Sequence, residues 1–256
     1  MIRMISGKRL SLLMVSVILL MIFSSFSFKK KEVTEEEAFT LDKSIYDVGS
    51  IMEFAQNETV SSGDAGTSFS KDAWNLILVN KQHPISPDFP VKLGFVGNME
   101  LDERIVDDWR AMKEAAAEDG VTIIIASPYR DYEKQEYLFD KKIKSYLDTG
   151  MNYLDSYKYG SQVVTIPGSS EHQTGLALDI LSNDYSKLNE GFDRTKAGKW
   201  LAANCQDYGF ILRYPKGKEY VTGIIYEPWH FRYVGVEAAK IIMEEGITFE
   251  EFVERL

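Results

Sequence analysis

An acid set inside an apolar run constrains this chain more tightly than any other feature. Asp179 lies in Leu176-Ala177-Leu178-Asp179-Ile180-Leu181, a run short and apolar enough to predict a largely buried strand. An ionised carboxylate among leucine and isoleucine is unfavourable unless a cation or several donors compensate it, so the fold must bring something to it. Side chains alternate along a strand, which puts Ala177 on the same face. Its small side chain leaves room for an ion.

His172 precedes a turn at Gly175, so the chain can double back and set an imidazole over Asp179. A second imidazole, His230, stands in Glu227-Pro228-Trp229-His230 with a carboxylate three residues before it. In a regular strand Glu227 and His230 would point to opposite faces; bringing them together needs an irregular backbone, for which Pro228 is suited. Two nitrogens and one oxygen fill three corners of a tetrahedral zinc ion, and an open fourth corner distinguishes a catalytic from a structural site. Zinc lowers the pKa of water to about 7, and Glu227 is the candidate base that takes its proton and hands it to a leaving amine. Taken singly, each histidine reads more simply as a core or surface residue, and Asp179 as the partner of Arg213. Two of the chain's three histidines fall beside acids in these segments, which favours the joint reading.

The β-branched run Val121–Ala126 predicts a strand that delivers Ser127 to Arg130 into a loop before a helix from about Tyr132 to Leu147. Arg130 is the candidate for gripping substrate. Its planar guanidinium matches a carboxylate or a developing oxyanion. Its plainer alternative is a surface pair with Asp131 or Glu133. Ser170 and Gln135 are further candidates for polar contacts to a substrate, although both residue types also cap backbone near helix starts.

The segments Ser170–Asp179 and Glu227–Tyr233, together with Ser127–Gln135, Gly198–Ala202 and Tyr208–Pro215, resemble the signatures of the VanY-type D-alanyl-D-alanine carboxypeptidases. That family sits within a larger group that includes lysostaphin-type and hedgehog-type domains, and the resemblance covers about Trp74 to Val236. It implies zinc on His172, Asp179 and His230, with Glu227 as general base. It further implies removal of the C-terminal D-alanine from peptidoglycan stem peptides. The same site would suit an L,D-carboxypeptidase or a D,D-dipeptidase, and a non-catalytic zinc-containing wall-binding module is the alternative from another class; Glu227 speaks against the last. Pro128 stands where the family commonly has glycine, which would stiffen the approach to Arg130.

Composition bounds the rest. A chain of 256 residues, 45% hydrophobic and 27% charged, holds one globular domain with a substantial core and an appendage. A net charge of -10 argues against nucleic acid as a partner. The single Cys205 permits no internal disulfide and reads as a small buried hydrophobe. His83 lies in a proline-bounded loop and is assigned no metal role. Leu10 to Phe28, flanked by Arg3, Lys8, Arg9 and Lys29-Lys30-Lys31, is nineteen residues long, roughly 28 Å as a helix. Residues 1–31 are therefore expected to be an uncleaved signal-anchor, with 32–69 a polar tether and 70–256 the catalytic domain on the outer face of the membrane.

Within that domain, strands are expected at Trp74–Asn80, Val121–Ala126, Leu176–Leu181, Phe210–Arg213 and Gly223–Tyr226. Helices are expected at Asp102–Asp119, Tyr132–Leu147, Thr195–Tyr208, Val236–Glu245 and Phe249–Leu256. Met151–Ile166, rich in tyrosine, reads as a long loop over the cleft with Tyr153, Tyr157 and Tyr159 as possible walls. Strands and helices in irregular order predict an α+β fold, with a small antiparallel sheet carrying the zinc site and helices on its opposite side.

Overall fold

The computed structural model describes residues 69–256. The expected signal-anchor, and all of the tether except Phe69, fall outside the described residues. Phe69 packs edge-on against Phe252 at 5.2 Å between ring centroids, so it belongs with the folded domain. Among the described residues no helix is long and apolar enough to cross a membrane.

A four-stranded antiparallel sheet carries the site. Its strands are β3 (Ile124–Ser127), β4 (Ala177–Leu181), β5 (Phe210–Leu212) and β6 (His230–Tyr233), in the order β3-β4-β6-β5. A separate hairpin, β1 (Leu93–Val96) with β2 (Met99–Asp102), precedes them. The helices are α1 (Val106–Glu118), α2 (Tyr132–Leu147), α3 (Tyr153–Gly160), α4 (Lys196–Asn204), α5 (Glu219–Thr222), α6 (Val236–Glu245) and α7 (Phe249–Glu254).

The pleat separates two chemistries. In the central pair Leu178 faces Phe231 and Asp179 faces His230, so alternation puts Leu178, Ile180, Phe231 and Tyr233 on one side and Asp179, His230 and Arg232 on the other. The apolar side packs on Trp109, Met112 and Ala116 of α1 and Ala197 and Leu201 of α4. Burying each such leucine or isoleucine contributes about 1.5–3 kcal/mol, which locks the register: a one-residue slip would turn the charged set into this core. As the pattern predicts, α1 and α4 lie opposite the site. At the β5 end of the site face, Ile211 packs with Ala238 and Ile242 of α6 and Phe249 and Phe252 of α7.

Asp119 closes α1, the Thr195 side chain caps α4 by accepting from Gly198 N, and α4 continues as a 3-10 turn over Cys205–Tyr208 that Gly209 ends. Cys205 is buried, and burial pushes its thiol pKa up to about 12. His83 is exposed, with its Nδ1 3.0 Å from Asn80 Oδ1.

Three expectations are corrected. Trp74–Asn80 forms no strand beyond an isolated bridge of Asn80 with His83. Leu76 and Val79 are buried, but the carbonyls of Asn75 and Ile77 accept from the Arg232 guanidinium, so a side chain takes the place of a neighbouring strand. Gly223–Tyr226 is likewise not a strand: Ile225 N donates to Gln162 O and Glu227 N to Tyr214 O, isolated bonds that hold the segment extended. Met151–Ile166 is not a continuous loop. The Asn152 side chain caps α3 by accepting from Asp155 N. Tyr153, Tyr157 and Tyr159 are solvent-exposed on that helix, and it is the following Val163, Val164 and Thr165 that line the cleft.

Candidate metal centre

His172, Asp179 and His230 converge, each offering one ligand atom within 4.8 Å of the others. Three local devices bring them together. Gly175, at φ 71°, ends the 3-10 turn Glu171–Thr174 and folds His172 back over β4. Antiparallel pairing sets Asp179 directly across from His230. The turn at Pro228-Trp229, closed by His230 N donating to Glu227 O at 3.1 Å, supplies the irregular backbone that brings Glu227 to the face of His230.

Asp179 Oδ1 lies 3.4 Å from His172 Nε2 and 3.1 Å from His230 Nδ1. Tetrahedral ligands about 2.0–2.1 Å from a zinc ion stand roughly 3.3 Å apart, so both the spacing and the donor set of two imidazoles and a carboxylate fit that ion. The orienting contacts fit as well. His172 Nδ1 lies 2.9 Å from Pro128 O, which leaves Nε2 as the nitrogen available to a metal. Since the backbone carbonyl makes that contact, proline at 128 is accommodated. Arg130 N donates to His172 O at 3.1 Å and pins the same turn.

All three groups are buried, and their electrostatics are set by one another. Burial pushes the Asp179 carboxyl upward, but the His172 and His230 imidazoles outweigh it and hold Asp179 well below the usual carboxylate range. Burial also lowers the His172 pKa, and the Arg130 charge adds to it. For His230 burial acts downward too, but Asp179 and Glu171 prevail and raise it to about 9. Glu227 is raised to about 8, mainly by burial and further by Asp179, against the lowering effect of His230 and Arg130.

Glu227 Oε2 lies 3.8 Å from His230 Nδ1, and Glu227 lines a cleft of about 300 Å³ together with Arg130, Ser170, Tyr214 and the three convergent residues. Arg130 Nη2 is 3.9 Å from Asp179 Oδ2. Its guanidinium donates through Nη1 to Gln135 Oε1 at 2.8 Å and through Nη2 to Ser127 Oγ at 3.3 Å. It is not the surface pair that spacing alone allowed: Asp131 caps α2 instead. Gln135 stands behind Arg130 rather than in the cleft. It is fully buried, and its Nε2 donates to Thr165 O at 2.5 Å.

Three residues went unassigned to the site in the sequence. Glu171 is fully buried between Arg213 and Arg232, and Arg213, read as a possible partner of Asp179, pairs with Glu171 and Glu250 instead. Burial pushes the Glu171 carboxyl upward, but the two guanidiniums hold it well below the usual range. A signal existed: arginine following Phe210-Ile211-Leu212, and arginine between Phe231 and Tyr233, each imply a buried cation needing an acid.

The profile of the family described as VanY, D-alanyl-D-alanine carboxypeptidase, matches residues 98–236. A D-alanyl-D-alanine carboxypeptidase of Enterococcus faecalis is 41% identical over 182 residues, 70% of this chain and 66% of the relative. Among solved structures, a vancomycin-resistance D,D-pentapeptidase VanY in complex with Zn(II) is similar with a TM-score of 0.64 at 39% identity, covering 70% of this chain and 99% of that one. The LD-carboxypeptidase LdcB is similar with a TM-score of 0.62 at 37% identity, covering 72% of this chain and 87% of that one. With the profile spanning more than half of its residues and the α+β fold shared, this chain belongs to the VanY family of D-alanyl-D-alanine carboxypeptidases.

Proposed function

We propose that the chain is a zinc-dependent carboxypeptidase that removes the C-terminal D-alanine from peptidoglycan stem peptides. The observation that carries this reading is the convergence of His172, Asp179 and His230 in a cleft that also holds the Glu227 carboxylate, 3.8 Å from His230 Nδ1. When bound, zinc supplies Lewis acidity that polarises the scissile carbonyl and makes water acidic near neutral pH. Glu227 takes the proton of the attacking water and delivers it to the departing nitrogen. Arg130, steadied by Gln135 and Ser127, presents its guanidinium to the substrate's terminal carboxylate or to charge developing on the carbonyl oxygen, with Ser170 beside it. The substrate lies outside the cell, so the reading includes an outward-facing catalytic unit tethered through residues 1–68.

The likeness to the zinc-bound VanY supports the metal, and the likeness to LdcB supports an L,D activity as the second reading. Defined tri-, tetra- and pentapeptide stems, incubated with the protein and weighed by mass spectrometry, separate the two. Loss of one D-alanine from the pentapeptide supports the D,D reading, and loss from the tetrapeptide alone supports the L,D reading. A chelator should abolish either, and added zinc should restore it. Turnover that survives complete metal removal would defeat the proposal.

A further inference from the structure

On its Nε2 side His230 meets the buried Glu171. Glu171 Oε1 accepts from Arg213 Nε at 2.8 Å and from Arg232 Nη1 at 2.9 Å. Its other oxygen, Oε2, lies 3.5 Å from His230 Nε2, and among the described residues neither atom has a hydrogen-bond partner. The two arginines are themselves held. Arg213 donates through Nη1 and Nη2 to both oxygens of Glu250 on α7, at 2.8 and 2.6 Å. Arg232 donates to the carbonyls of Tyr233, Asn75 and Ile77. Phe249, also on α7, lies under both guanidiniums, at 5.4 Å from Arg213 and 5.0 Å from Arg232.

An ionised carboxylate only accepts hydrogen bonds. A proton on His230 Nε2 is therefore what satisfies both Oε2 and Nε2, and it leaves Nδ1 bare, 3.1 Å from Asp179 Oδ1 on the ligand side. We propose that Glu171 is a positioning residue that selects the Nε2–H tautomer of His230, and that Arg213 and Glu250 hold Glu171 in place for it, so that the C-terminal helix α7 takes part in assembling the metal centre. The inference rests on the zinc reading above. It differs from mere neutralisation of two arginines in one respect: it depends on which atom of residue 171 faces the imidazole.

Glu171→Gln separates the two. With the amide oxygen kept on the guanidiniums, the amide NH2 faces Nε2, and a donor opposite that nitrogen favours the Nδ1–H tautomer, which cannot ligate. The test uses the full chain. Zinc stoichiometry of the wild type is measured by elemental analysis, zinc affinity by competition with a chromophoric chelator, and the His230 Nε2–H by its proton resonance in the zinc-loaded protein. Outer carboxylate partners of metal-bound histidines are worth about 10- to 100-fold in affinity. Glu171→Gln should weaken zinc binding by that factor and displace or abolish the Nε2–H resonance, while Glu250→Gln should weaken binding in the same direction by less.

A folded Glu171→Gln that binds zinc like the wild type with an unshifted resonance overturns the inference alone. Where Glu171→Gln does not fold, Glu250→Gln decides, on a side chain partly open to solvent, and unchanged affinity there overturns the inference. A wild type that takes up no zinc overturns the zinc reading and this inference together.

Discussion

At the scale of single residues, burial and pairing assign the work. Asp179 and Glu227 are both buried carboxylates in one cleft, yet they lie on opposite sides of the ordinary carboxylate range. Asp179 sits within 3.4 Å of both imidazoles and stays ionised. Glu227 is farther from His230, at 3.8 Å, and burial dominates its pKa. A strongly held carboxylate suits a ligand, and one with weak partners suits proton transfer. Glu227→Gln keeps the shape and removes the proposed base, so it should lower kcat by about 10²- to 10⁴-fold while zinc content is unchanged, because His172, Asp179 and His230 remain. Parallel measurement of kcat and bound zinc checks this. Full activity would reassign the base, and lost zinc would make Glu227 a ligand.

At the scale of elements, the site is built at junctions. The turn before β4, the turn before β6 and the end of β3 each deliver one part of it, and the paired strands hold those parts rigidly. Gly175 is the most exposed to test. Its φ of 71° is strained for other residues, and a Cβ there would stand 2.7 Å from Asp102 N, whose N–H donates to Gly175 O. Gly175→Ala should therefore reduce the unfolding free energy by about 1–3 kcal/mol and weaken zinc binding, because His172 rides on that turn. Urea denaturation with and without zinc reads both; an unchanged midpoint would show that the turn accommodates a side chain. The elements that periodicity foretold are those whose backbone bonds are local, such as α1 and α2, or whose β-branched residues pack on one face. Trp74–Asn80 and Gly223–Tyr226 misled for one shared reason: extended, apolar segments look like strands, but whether a neighbour pairs with them is decided elsewhere in the chain.

At the scale of the whole molecule, two apolar clusters meet along the sheet, and the buried charges lie between the second cluster and the cleft. Phe249 is fully buried and closes that charged layer from the C-terminal side. Phe249→Ala should cost about 3–5 kcal/mol, read as a lower urea midpoint. If the cost fell below 1 kcal/mol, α7 would be a loose appendage rather than part of the core. By itself the sequence determined which side chains were candidates for the site. A carboxylate in an apolar run, two histidines beside acids and an arginine after a strand are recognisable because buried charge is rare and must be answered, and the same logic determined the α+β class through its periodicities. Only the tertiary structure decided how the site is held. Glu171, Arg213, Arg232 and Glu250 come from four separate segments, and local sequence cannot say which buried acid meets which buried base, because that pairing is made by strand register and helix packing across the chain. The same holds for the tyrosines of α3, which composition placed over the cleft and packing turned to solvent.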